Sequence, residues 1–181
     1  MTTYIGLLRA VNLGSHNRIA MSDLREWLVG LGMANAQTLL QSGNMVFGSD
    51  ARSAAPLEKT LESAAAKQLG LETAFFVRTA KEWQGIIAEN PFPKEAKADP
   101  GHTVLMCLKD APPAAAVKAL QDAIKGREVV TAKGRHAYFL YPDGMGTSKL
   151  TITLIEKKLG TTGTARNWNT VLKLGALTEE S

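Results

Sequence analysis

The chain is poor in the residues that most often announce chemistry, with one cysteine and three histidines among 181 residues. Cys107 alone permits neither an intrachain disulfide nor a multi-cysteine metal site, which fits a reducing, cytoplasmic setting. His16, His102 and His136 are scattered without ligand spacing, so no metal is expected. No apolar run approaches the roughly 18–20 residues needed to cross a bilayer. Met1 to Ala10 alternates and lacks a basic segment, which argues against a signal peptide. Lysine and arginine form no block, yet the formal charge of +4 leans toward anionic partners. Paired carboxylates, a Ser-His-Asp order and the glycine spacings of nucleotide loops are also missing.

What is present is a structural order used twice. Tyr4 to Val11 is mostly apolar and predicts a strand. Ser22 reads as the cap of a helix whose buried face is Leu24, Trp27, Leu28 and Leu31. Thr38 to Gln41 and Asn44 to Phe47 predict a hairpin around Ser42-Gly43. Ser53 reads as the cap of a second helix with Leu57, Leu61 and Leu69, and Thr73 to Arg78 as a fourth strand. Thr79 then caps a third helix carrying Trp83 and Ile86.

The order returns from His102 to Leu108, through an alanine-rich helix, a hairpin of 128–132 and 137–141, and a helix ending at Leu159 that Thr147 or Ser148 caps. Thr161 to Ala165 and a last helix complete it. The order βαββαβ is the split-βαβ, or ferredoxin-like, motif. The expected fold is therefore α+β: two tandem ferredoxin-like halves, 1–90 and 102–181, joined by a linker at 91–101, each with an antiparallel sheet covered by helices.

This order predicts where polar residues gather. The loop Asn12 to Arg18 falls at the same sheet end as Gln41-Ser42-Gly43-Asn44. In the second half Thr147-Ser148-Lys149 falls near Thr164 to Asn169. If those ends meet, they form one polar cleft between the halves.

The segments Leu-Leu-Arg-Ala-Val-Asn-Leu-Gly (7–14), Gln-Ser-Gly-Asn (41–44), Asn-Pro-Phe (90–92), Ser-Lys-Leu (148–150) and Thr-Ala-Arg-Asn-Trp-Asn-Thr-Val (164–171) resemble the bacterial family called domain of unknown function 1697. The family's opening usually has a glycine after the arginine and a second one in the loop, where Ala10 and Ser15 stand here. The resemblance implies a pair of ferredoxin-like units and no established activity.

Three functions follow as expectations. In the first, a phosphate-bearing ligand, nucleotide or nucleic acid, binds through Arg9, Asn12, Asn17, Ser42, Asn44, Ser148, Lys149, Arg166, Asn167, Trp168 and Asn169. Arg166 would clamp the anion and Trp168 would either stack on a base or anchor the last helix. In the second, an enzyme of unassigned reaction uses the same cleft, with His16 or Lys149 as proton donor. The third is a protein-interaction scaffold. Neither a cofactor nor a membrane partner is expected, and the free edges of both sheets make a homodimer as reasonable as a monomer.

Overall fold

A computed structural model describes residues 1–180. It contains two four-stranded antiparallel sheets and seven α-helices among the described residues, so the fold class is α+β. The chain divides into two compact units. The first is Met1–Ala88 together with the chain from Leu172 onward, and the second is Glu89–Val171.

In the first unit the elements are β1 (Thr2–Leu8), α1 (Met21–Gly30), β2 (Ala34–Leu39), β3 (Asn44–Ser49), α2 (Ala54–Leu69), β4 (Phe75–Thr79) and α3 (Ala80–Ala88). The sheet order is β2-β3-β1-β4. One face sets Tyr4, Leu8, Met45, Phe47, Phe75 and Val77 against Leu24, Trp27 and Leu28 of α1 and Leu57, Leu61 and Ala65 of α2. Each fully buried side chain of this size contributes about 1.5–3 kcal/mol. Thr79 caps α3 as its position implies: its Oγ1 accepts the Glu82 N–H at 3.0 Å, while Glu82 Oε1 accepts the Thr79 N–H at 3.3 Å.

The second unit runs α4 (Pro93–Ala98), a short 3₁₀ turn at Pro100–His102, β5 (Thr103–Leu108), α5 (Ala114–Ala123), β6 (Val129–Lys133), β7 (His136–Leu140), α6 (Ile152–Leu159) and β8 (Gly163–Asn167). Its sheet order is β6-β7-β5-β8. The helix-facing core is Val104, Met106, Leu108 and Phe139 with Leu120, Ile155 and Leu159. The last helix, α7 (Trp168–Glu179), begins here, and its later turns belong to the first unit. There Gln84 Nε2 donates to the Gly175 carbonyl at 3.2 Å. The stretch 91–101, read as a linker, carries α4.

The outer strands are not bare. Glu62 and Glu58 of α2 accept the N–H groups of Phe75 and Val77 on β4, at 2.9 and 2.7 Å. Carboxylates four residues apart on a helix are separated by ~6 Å, close to the ~6.6 Å between alternate strand residues. Glu156 of α6 treats the Gly163 N–H of β8 the same way, at 2.9 Å. On the opposite edges Arg25 Nε donates to the Ala36 carbonyl at 3.1 Å and Gln121 Nε2 to the Val130 carbonyl at 3.0 Å. Helix side chains thus occupy part of every outer strand, so the sheet edges are less open than the sequence suggests.

Candidate functional site

The loop after β1 is built around Asn12. Its backbone is left-handed, at φ 58°, a conformation asparagine tolerates better than most residues. Its Oδ1 accepts the Ile19 N–H at 2.9 Å, and its Nδ2 donates to the carbonyls of Ile19 at 3.0 Å and Gln41 at 2.8 Å. Its backbone N–H donates to the Asn17 carbonyl at 3.0 Å. One amide therefore closes the arch from residue 12 to 19 and ties it to the β2–β3 turn. Asn17, left-handed at φ 51°, donates from Nδ2 to the Glu72 carbonyl at 3.1 Å. Arg18 donates from Nη1 to the Gly14 carbonyl at 2.9 Å and is exposed.

The turn below the arch is equally constrained. Leu40 and Gly43 are left-handed at φ 60° and 84°. A methyl group on Gly43 would come within 2.8 Å of Val11, so glycine meets both the backbone and the space requirement. Asn44 is fully buried and donates from Nδ2 to the Leu39 carbonyl at 2.7 Å and to Ser42 Oγ at 2.9 Å. Arg9 is half-buried, with its N–H on the Ala74 carbonyl at 3.1 Å and its carbonyl accepting from the Thr73 hydroxyl. The amides and hydroxyl of Asn12, Asn17, Ser42 and Asn44 thus hold the loops to one another.

The arch borders an open groove of about 430 Å³ lined by Asn12, Arg18, Ile19, Ala20, Asp23 and Gln41, with Leu69 and Leu71 as its apolar part. The helix α1 starts on this groove. Its cap is Ala20, which offers no side-chain acceptor, and not Ser22, which sits two residues further in, within the first turn. The Asn12–Ile19 clamp sets the chain direction just before Ala20, so the helix begins earlier than the Ser22 hydroxyl suggests. The N–H groups ahead of the Leu24 N–H, whose acceptor is the Ala20 carbonyl at 3.0 Å, have no side-chain cap, and Ala20 and Asp23 of this helix start line the groove. His16 is exposed in the same loop.

The second cluster is arranged differently from the sequence expectation. The cap of α6 is Thr151, whose Oγ1 accepts the Leu154 N–H at 3.2 Å. Ser148 lies before the helix, donates to Glu128 Oε1 at 2.6 Å and accepts the Leu150 N–H at 3.0 Å. Lys149 is exposed and lines a smaller groove with Glu128. Arg166 is buried on β8 and donates from Nη1 to Thr164 Oγ1 at 2.8 Å and the Ala165 carbonyl at 2.9 Å. Burial lowers its pKa to about 10, since the charged form is stripped of water. Asn167 caps α7, accepting the Thr170 N–H at 3.1 Å on Oδ1. Trp168 is buried 6.4 Å from the Tyr138 ring, and Asn169 is exposed.

The sequence brings forward most of the arch, but it does not single out Arg18, Gln41 or Asp23. Arg18 and Gln41 lie inside the motifs it flags. Asp23 reads only as a favourable first-turn acid, and Leu69 and Leu71 read as the end of α2. Among the described residues no group of three or more histidine, cysteine or acidic side chains converges on a possible metal position.

The family model described as protein of unknown function, DUF1697, matches residues 1–138, which contain the whole arch, the turn and the groove. The chain belongs to this family. A solved structure, the conserved bacterial protein SP0830 from Streptococcus pneumoniae, is similar at 22% identity over 97% of both chains, with a TM-score of 0.74. That likeness shows a shared fold between this DUF1697 chain and the streptococcal protein. No curated protein matches the chain. No helix among the described residues of this DUF1697 protein is long and apolar enough to cross a membrane.

Proposed function

We propose that this DUF1697 protein binds a small phosphate-bearing ligand, of the nucleotide or sugar-phosphate kind, in the groove beside the Asn12 arch. The observation that carries this reading is the groove of about 430 Å³ that Arg18 and the start of α1, at Ala20 and Asp23, both line. The volume lies within the range of small-molecule sites, about 300–1,000 Å³. A guanidinium and helical N–H groups without a side-chain cap are both anion donors. Asp23 on the same groove favours a ligand whose anionic group is set apart from a sugar hydroxyl or amino donor, as in a nucleotide or sugar phosphate, over a compact phosphate ion that would bring its own charge against the carboxylate. The remaining polar side chains of the arch are its frame: they fix the groove before a ligand arrives, which lowers the ordering cost of binding.

Each unit is read here as one ferredoxin-like copy. Support comes from the order βαββαβ in each, and from the strand orders β4-β1-β3-β2 and β8-β5-β7-β6. A cytoplasmic setting goes with the same reading, and its support is a single buried thiol.

The test is a thermal-shift panel of mononucleotides, sugar phosphates, inorganic phosphate and short oligonucleotides at low and moderate salt. Ligand that binds the folded state raises the midpoint by mass action. A salt-resistant shift with a mononucleotide or sugar phosphate, lost in Arg18→Ala, is the expected result. A shift with oligonucleotides alone, fading with salt, would move the ligand to nucleic acid backbone. Shifts that Arg18→Ala leaves intact, or no shift at all, would overturn the site.

A further inference from the structure

A second groove, in the other unit, has a different chemistry. It lies between the end of α5 and the segment leading into α6, with a volume of about 330 Å³. Its floor is Ala123, Ile124, Leu150 and Leu154, and its polar members are Glu128, Lys125 and Lys149.

The Glu128 carboxylate is held in place by Ser148. Ser148 Oγ donates to its Oε1 at 2.6 Å. That hydroxyl is itself fixed by the Leu150 N–H at 3.0 Å, and the Leu150 carbonyl accepts from the buried Tyr141 hydroxyl at 2.9 Å. A methyl group at position 126 would come within 2.4 Å of Glu128 Oε2, so Gly126 leaves room for the carboxylate in this orientation. A half-buried carboxylate positioned this way at the edge of an apolar floor has two oxygens and about four lone-pair sites, and Ser148 uses one.

We propose that this groove is a binding site for a free aliphatic α-amino acid. The Glu128 carboxylate receives the ligand's ammonium group, Lys149 with Lys125 faces its carboxylate, and its side chain lies on Ile124, Leu150 and Leu154. Charges of both signs over an apolar floor match a zwitterion with a hydrocarbon branch. A phosphate dianion would instead meet Glu128. The volume sits at the small end of ligand sites, which suits a molecule the size of leucine.

The test is an amide-resolved NMR titration of the full chain with L-leucine, run beside leucinol, which lacks the carboxylate, and 4-methylpentanoate, which lacks the ammonium group. The expected result is saturable shifts at 123–128 and 149–154 with leucine, and weaker binding of both analogues. Glu128→Gln keeps an acceptor for Ser148 and should lower leucine affinity by roughly ten- to a hundredfold, the size of one charge-assisted contact. Ala123→Leu fills the groove from α5 and should abolish the shifts with the thermal midpoint unchanged. Absence of saturable shifts with leucine, shifts confined to other residues, or unchanged affinity in folded Glu128→Gln would each overturn the proposal.

Discussion

Asn12 and Ile19 are paired as two strand residues would be. The Asn12 side-chain amide accepts the Ile19 N–H at 2.9 Å and donates to the Ile19 carbonyl at 3.0 Å. A side chain thereby imitates a peptide group and closes an arch that has no strand partner. Asn12→Ala removes both bonds and the bond to Gln41, and leaves alanine in the left-handed region at φ 58°. The expected loss is about 1–3 kcal/mol, from the lost part-buried hydrogen bonds and from backbone strain. Denaturant unfolding measures it, and amide exchange at 12–19 should rise before exchange elsewhere.

Ala10 makes the opposite prediction. It is left-handed at φ 54°, where the family usually has glycine. Ala10→Gly relieves a steric cost of about 1–2 kcal/mol and gives back part of it through the freer unfolded chain. The net expected gain is up to about 1 kcal/mol. A fall in the denaturation midpoint would show that the left-handed backbone at this position carries no strain.

Glu58 and Glu62 both accept N–H groups on β4, yet they should not be equal. Glu58 is buried and lies 3.5 Å from the buried Arg78 guanidinium, which also donates to the Val77 carbonyl at 2.9 Å. Glu58→Ala leaves that charge without this partner and should cost about 3–5 kcal/mol. Glu62, half-buried and bonded to Phe75 N–H, should cost about 1 kcal/mol as alanine. Equal losses would mean that the ion pair adds nothing to the edge contact.

All three tyrosines hold their protons above the ordinary range, in each case chiefly because burial disfavours the phenolate. Tyr138 is pushed up to about 12. A folded pKa above the unfolded one stabilises fully below about pH 10, and that stabilisation is lost as pH rises through the folded value. Arg166 acts in the reverse sense, since its pKa is lowered in the folded state. Three tyrosines outweigh one arginine, so stability should fall above about pH 10. Tyrosinate absorbance should then rise together with unfolding, and a separate tyrosine titration in the native state would contradict this.

Much of the first unit was legible because its signals are local. The apolar run from Tyr4 to Leu8, the helical spacing of Leu57, Leu61 and Ala65, and the Thr79–Glu82 cap each lie within a few residues. The misplaced starts show the limit. Ser148 and Thr151 are both competent caps; Thr151 caps α6, while Ser148 accepts the Leu150 N–H ahead of the helix and donates to Glu128, twenty positions away. Ser22 was displaced by a clamp formed ten residues upstream.

Residue type by itself determined the element order, the two-sheet class and the fact that amides and glycines gather at one end of the first sheet. These depend on side-chain periodicity and backbone freedom, which act over short stretches. Only the tertiary structure decided what those amides do. Asn12 and Asn44 spend their donors on carbonyls of the loops around them, Arg166 is enclosed with Thr164, and Arg18 is left on a groove with Asp23. A hydrogen-bonding group takes whichever partner the packed chain brings within about 3 Å, and that choice is made by contacts between residues distant in sequence.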